Sequence, residues 1–125
     1  MSPDQRLALL ADLLAAIDSG DVDRVRALYA PDARIWHNFD DIEQTVDENL
    51  RTLSWMCKVL DDRRYDVIRR EPVENGAMQT HVLRGVVKST GAAFALHAAL
   101  IVTMADGKVT RIDEYLDPAA ATALR

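Results

Sequence analysis

The hydrophobic period changes once along this chain, near Tyr65, and that change decides the class of fold. Before it, apolar residues recur every three or four positions. After it, they run in extended stretches separated by turn residues. Helices gathered first and strands second make an α+β architecture, because a wound α/β fold needs the two to alternate. The chain has 125 residues, 49% of them hydrophobic. That suits one well-buried core, so residues 1–125 read as a single domain.

The helical part carries its own punctuation. Ser2-Pro3-Asp4-Gln5 predicts a helix start, with Ser2 as cap and Gln5 completing a capping box. Leu7, Leu10, Leu14 and Ile17 form its stripe, widened by Leu9 and Leu13, and Gly20 is the left-handed stop. Asp21 caps a second helix carrying Val22, Val25, Leu28 and Tyr29, which Pro31 ends. Ala33–His37 is a short strand candidate and Asn38–Ile42 a polar loop. Thr45-Val46-Asp47-Glu48 opens a third helix, whose stripe is Val46, Leu50, Leu53, Cys57 and Leu60.

Four extended stretches follow: Tyr65–Val73, Ala77–Val87, Ala92–Met104 and Val109–Leu116. Asn75-Gly76 and Asp106-Gly107 are two-residue hairpin signals, and Ser89-Thr90-Gly91 closes the middle pair. The two central strands are long enough to bend strongly. The expected fold is a cone-shaped half-barrel, with three N-terminal helices on a strongly curved, mainly antiparallel sheet.

Composition narrows the functions. Fifteen basic against twenty acidic residues give a net charge of −5, which argues against a nucleic-acid binder. No segment approaches the ~18 uninterrupted apolar residues of a membrane span. The first residues lack the pattern of a signal peptide, and a cytoplasmic location is the expectation. Cys57, the one cysteine, cannot build a disulfide or a multi-cysteine metal site by itself. The three histidines are far apart in sequence, so no metal site is expected. No phosphate loop, nucleophile elbow or zinc-protease helix occurs, and no cofactor is expected.

The stretch Ala92–Met104 points to a site. Phe94, Leu96, Ala98, Leu100 and Val102 share one face; Ala93, Ala95, His97, Ala99 and Ile101 share the other. Small residues around a histidine suggest the wall of a cavity, and the larger row suggests a dimer interface. With an unbroken hairpin at Asp106-Gly107, Ile101 faces Ile112, Ala99 faces Glu114 and His97 faces Leu116. His97 and Glu114 then become diagonal neighbours, about 7 Å apart between backbones. Glu114 on an otherwise apolar row needs a partner. A structural ion pair and a functional acid–base pair both satisfy that need. His81 joins the same face, opposite Ala99, if Ser89-Thr90-Gly91 is a three-residue loop with Gly91 left-handed.

The order of elements, with Leu28-Tyr29-Ala30-Pro31-Asp32-Ala33, Ile35-Trp36-His37-Asn38 and the closing run Asp106-Gly107-Lys108-Val109-Thr110-Arg111-Ile112-Asp113-Glu114-Tyr115-Leu116-Asp117, resembles the nuclear-transport-factor-2-like superfamily. The SnoaL-like and ketosteroid-isomerase-like branch is the nearest in look. The resemblance implies a deep apolar pocket and frequent dimers, in a group that spans isomerases, cyclases, hydrolases, dehydratases and non-catalytic modules. It places His37 where the isomerases keep their general base. It puts Leu13 and Ala99 where they keep their oxyanion-hole tyrosine and acid, so steroid isomerisation by that mechanism is not expected. The cyclases use a histidine and an aspartate, for which His97 and Glu114 are the nearest substitutes here. The expectation is an acid–base site of His37, His97 and Glu114, lined by Leu13, Trp36, Trp55, His81, Ile112 and Leu116. It would act on a small apolar molecule by cyclase, isomerase or hydratase chemistry, in an apolar pocket of a homodimer. The alternative is a non-catalytic ligand-binding or dimerisation module.

Overall fold

The computed structural model describes residues 1–124. Helix α1 (Pro3–Ser19) begins at the expected capping box. The Ser2 hydroxyl accepts from the Gln5 backbone N–H, and the Gln5 side chain accepts from that of Ser2. It stops at Gly20, whose φ of 74° is left-handed. Its inner face buries Leu9, Leu10, Leu13, Leu14, Ala16 and Ile17. Each fully buried leucine contributes about 2 kcal/mol of burial. Helix α2 (Val22–Leu28) is capped by Asp21, and α3 (Val46–Val59) by Thr45 with a second capping box from Glu48. A short α4 (Pro118–Ala121) follows the last strand.

The sheet has six strands: β1 (Tyr29–His37), β2 (Glu43–Gln44), β3 (Leu60–Val73), β4 (Gly76–Val87), β5 (Ala93–Ala105) and β6 (Lys108–Leu116). Their order is β2-β1-β6-β5-β4-β3. Only β1 and β6 run parallel; the other neighbours are antiparallel. The α+β half-barrel expected from the sequence is therefore present. The boundaries differ in places. Helix α2 ends at Leu28, and β1 takes up Tyr29 and Pro31, which the sequence suggested were helix and helix stop. Pro31 lies in the stretch between Tyr29 and Arg34 where the pairing with β6 is irregular, so its missing N–H is tolerated. Strand β3 starts at Leu60, earlier than the expected Tyr65.

Three registers differ from expectation: β4–β5 and β5–β6 by one residue, and β3–β4 by two, with Pro72 in place of Glu74 opposite Ala77. The β3–β4 turn is centred on Glu74 and Asn75, with Val73 paired to Gly76. Asn75 takes the positive φ of 60°. Gly76 is thus a strand residue. It is needed because a Cβ there would sit 1.8 Å from the Val102 carbonyl oxygen. The β4–β5 connection holds one residue more than expected: Val87 N–H donates to Ala92 O, and His81 pairs with Ala98 instead of Ala99. The β5–β6 hairpin starts as expected, with Ala105 opposite Lys108, but Thr110 then bulges. Thr103 pairs with Arg111, and every later pair is displaced by one. The Thr110 hydroxyl donates to the Thr103 carbonyl at 3.1 Å across this bulge.

The two rows of β5 face the opposite way from expectation. Phe94, Leu96, Leu100 and Val102 are buried beneath the helices, and Ala93, Ala95, His97 and Ile101 are exposed on the outside. The larger row cannot be a dimer interface. Arg63 then ties helices to sheet: its guanidinium donates to the carbonyls of Asp18, Cys57 and Leu60. These lie at the C-terminal ends of α1 and α3, where carbonyls lack intrahelical partners.

Gly76→Ala should cost about 3 kcal/mol or more, because the new methyl group meets backbone that cannot move without breaking the β4–β5 ladder. Urea denaturation checks this. A loss below about 1 kcal/mol would show that the strands can separate there at little cost.

Candidate functional site

A cavity of about 190 Å3 lies between the helices and the inner face of the sheet. Cavities of roughly 150 Å3 accommodate benzene-sized molecules. Leu13, Leu14 and Ile17 of α1 line one side, with Leu53, Trp55 and Met56 of α3. The sheet side presents Ile35, Leu83, Leu96, Ala98, Leu100, Ile112 and Leu116. Polar groups are few: His37, Glu114, His81, Tyr29, Tyr65, Asn49 and Thr52.

The strongest of them is a pair. His37 ends β1 and lies in register with Glu114 on the parallel strand β6. Asn38 fastens this end of the sheet, donating its backbone N–H to Glu114 O while its side-chain oxygen accepts from Leu116 N–H. His37 Nε2 stands 3.0 Å from Glu114 Oε1. Burial alone would lower the pKa of His37. The hydrogen bond and charge of Glu114, with Asp40 nearby, outweigh it and raise the pKa above its ordinary value. The Phe39 ring leans on the imidazole, with centroids 5.5 Å apart.

On β4, His81 is 2% exposed. Its Nδ1 lies 2.8 Å from the side-chain nitrogen of Gln79, and Tyr65 meets its ring edge-on at 4.9 Å. Burial lowers the pKa of His81, and the charge of Arg70 adds to this, against the opposing pull of Glu114. Burial likewise pushes the phenols of Tyr29 and Tyr65 well above their ordinary range, so both stay protonated. The Tyr29 hydroxyl is committed: it donates to Asn49 Oδ1 at 2.8 Å, and the Asn49 amide donates to Gln44.

Of the residues expected here, Leu13, His37, Trp55, His81, Ile112, Glu114 and Leu116 line the cavity. Two do not. His97 lies on the exposed outer face, since β5 presents its other row inward. Trp36 also faces out, because Ile35 and His37 on either side of it point in. It stacks edge-on with Tyr115 and donates to Asp41. Ala99, matched by resemblance to an oxyanion acid, is on that outer row too; Ala98 and Leu100 take the inner positions. Sequence reasoning passed over Tyr29, Asn49, Tyr65 and Gln79. Asn49 was detectable, being a polar residue on the α3 stripe between Val46 and Leu53. Gln79 was too, sharing the inner face of β4 with His81. Among the described residues, no three His, Cys, Asp or Glu side chains stand close enough to hold a metal ion.

The family model of the SnoaL-like domain matches residues 10–112. The chain belongs to the SnoaL-like domain family. Solved structures agree on the fold at low identity. An NTF2-like protein from Burkholderia xenovorans is 23% identical, with a TM-score of 0.78 and coverage of 100% of this chain and 99% of that one. AclR from Streptomyces galilaeus is 18% identical with a TM-score of 0.86, covering 98% and 86%. An LEH-like epoxide hydrolase from M. tuberculosis is 14% identical with a TM-score of 0.78, covering 98% and 90%. No curated protein sequence matches.

The raised pKa of His37 has a definite sign in stability. A group whose pKa is higher in the folded state contributes fully below its unfolded value and loses that contribution as pH rises through the folded one. His37→Gln should therefore destabilise this SnoaL-like domain more at about pH 6 than at about pH 9. Paired thermal melts at the two pH values check this, and an equal or reversed difference contradicts the pairing.

Proposed function

We propose that this SnoaL-like domain binds a small, largely apolar molecule in its cavity and transfers a proton on it. The observation that carries the proposal is the His37–Glu114 pair, 3.0 Å apart, in a wall that is otherwise mostly apolar. A carboxylate that holds one imidazole nitrogen orients the ring and stabilises its charged form. With its Nε2 proton held by Glu114, neutral His37 keeps Nδ1 as an accepting nitrogen. The imidazole titrates near neutral pH, which suits a proton carrier. The apolar walls hold substrate and keep water away. Cyclase, isomerase and hydratase reactions of small apolar substrates all fit this arrangement.

A specific observation also favours self-association. The outer face of the sheet carries Met78, Ala99, Ile101 and Tyr115 beside Trp36, and Ile101 and Tyr115 are 44% and 47% exposed. An apolar face of this kind suits a homodimer. The row concerned is the opposite one from that expected on sequence.

Two measurements test these readings. Native mass spectrometry identifies any molecule that copurifies, and its binding and conversion are then followed in variants. His37→Gln and Glu114→Gln should slow conversion at least about 100-fold, and His97→Gln should change it less than about 2-fold. Tight binding without conversion by the wild type would make this a binding module instead. Sedimentation equilibrium should give about twice the 13.9 kDa of one chain, and Ile101→Lys should return it to one. A wild-type monomer at micromolar concentration would exclude the dimer.

A further inference from the structure

We infer that Arg70 and Gln79 fix the tautomer of His81, so that this histidine meets the cavity as a neutral donor through Nε2–H. The three residues form one line across two strands. Arg70 on β3 is the direct cross-strand partner of Gln79 on β4. Gln79 and His81 are two apart on β4 and share its inner face. Arg70 Nε donates to Gln79 Oε1 at 2.7 Å, and the Gln79 amide nitrogen lies 2.8 Å from His81 Nδ1.

Donor and acceptor counting then leaves one arrangement. A guanidinium has only N–H groups and accepts nothing, so the Gln79 atom facing it must be the carbonyl oxygen. That removes the ambiguity of amide orientation. The atom facing His81 is therefore the NH2 group, which can only donate. Nδ1 must accept, and the single proton of the neutral ring sits on Nε2. Protonating Nδ1 would set one N–H against another, with the charge of Arg70 behind it. Gln79 is fully buried and His81 nearly so, and in such low-dielectric surroundings a mismatched donor–donor contact is costly.

The charged and titratable groups around His81 are Arg70 and Tyr65 from β3 and Glu114 from β6. Tyr65 stays neutral and fixes the ring plane from the side. Glu114 favours the charged ring, but burial and Arg70 prevail. With Nδ1 occupied, and no partner for Nε2 among the described residues, the free N–H belongs to the cavity that His81 lines. Arg70 and Gln79 are thus positioning residues, acting through His81.

This bears on the proposed ligand, and that consequence rests on the ligand reading above. A neutral N–H recognises an uncharged acceptor such as a carbonyl, ether or hydroxyl oxygen. It offers nothing to an ammonium group or a metal ion. The ligand should therefore carry such an oxygen at the β4 side of the cavity, away from a bare hydrocarbon surface along α1.

Long-range 1H–15N correlation spectra of the histidine rings in the ligand-free protein test the inference directly. His81→Gln and His97→Gln provide the assignments. At pH 6.5, the ordinary midpoint of a histidine, wild-type His81 should show a bare Nδ1 and a protonated Nε2. Gln79→Glu replaces the donor with an acceptor and should move a proton onto Nδ1, giving an imidazolium. Arg70→Met, on the edge strand, frees the amide to turn and should produce a second, Nδ1–H population. A wild-type His81 that is charged or Nδ1-protonated at pH 6.5 overturns the inference, as does a pattern unchanged in both folded variants. Because no ligand is present in these spectra, a failure of the binding proposal leaves this result standing, and the converse also holds.

Discussion

The bulge at Thr110 decides which side chains this cavity contains. A strand alternates its faces with a period of two, so one extra residue sends everything beyond it to the other side relative to the partner strand. Without the bulge, Glu114 would lie opposite Ala99; with it, Glu114 lies opposite Leu100, whose side chain is buried under the helices. The Thr110 hydroxyl, bound to the Thr103 carbonyl, occupies a backbone group near the point where the ladder is interrupted. The inward row Ile112, Glu114 and Leu116 then matches the inward row of β5. The parallel strand β1 brings His37 alongside Glu114. The acid–base pair is therefore a product of two registers, one antiparallel and bulged, one parallel.

The same cavity drives its two imidazoles in opposite directions. His37 has a carboxylate at hydrogen-bond distance, and its charged form gains more from Glu114 than it loses by burial. His81 is more buried, has an amide donor on its accepting nitrogen, and lies near a guanidinium. Glu114 acts on both, but only His37 touches it. Pairs of titratable groups pushed apart in this way are suited to different roles in one site; in the proposed roles, His37 transfers the proton and His81 offers a fixed hydrogen bond. The difference arises from their partners: Glu114 of β6 for His37, and Gln79 of β4 with Arg70 of β3 for His81.

The readability of the sequence followed the range of each signal. Caps and stops depend on contacts within four residues, and Ser2, Gly20, Asp21 and Thr45 all act where their spacing indicates. Strand existence was equally plain. Register was not, because it depends on loop length and bulges, which nothing in Ser89-Thr90-Gly91 or Val109-Thr110-Arg111 announces. Asn75-Gly76 was misleading in a different way: Gly76 answers to a backbone across the sheet, not to its own turn. The inward choice for β5 was made on side-chain size, on the idea that small residues surround cavities. Here the large residues cover the core and the small ones lie outside. His97 left the site for that reason; Trp36 left it because its neighbours Ile35 and His37 on β1 point inward. Glu114 and His81 stayed because each had its register and its facing row misjudged together, and the two displacements cancelled.

The polarity of the cavity is divided between its walls, and the division has a physical origin. Helix α1 contributes only Leu13, Leu14 and Ile17. Adjacent strands hold side chains at fixed short separations, so a polar residue on the inner face of the sheet finds a partner on the next strand. His37 with Glu114 and Gln79 with Arg70 are both such cross-strand pairs. The helix-borne polar residues are Asn49 and Thr52: Asn49 is satisfied by Tyr29 from β1 and Gln44 from β2, and the Thr52 hydroxyl accepts from Gln44 and donates to the Glu48 carbonyl of its own helix. A molecule filling this space meets hydrocarbon on one side and ordered, partnered polar groups on the other. Under the proposed function, the sheet would determine the orientation of the ligand, and the helices how much of it is kept from water.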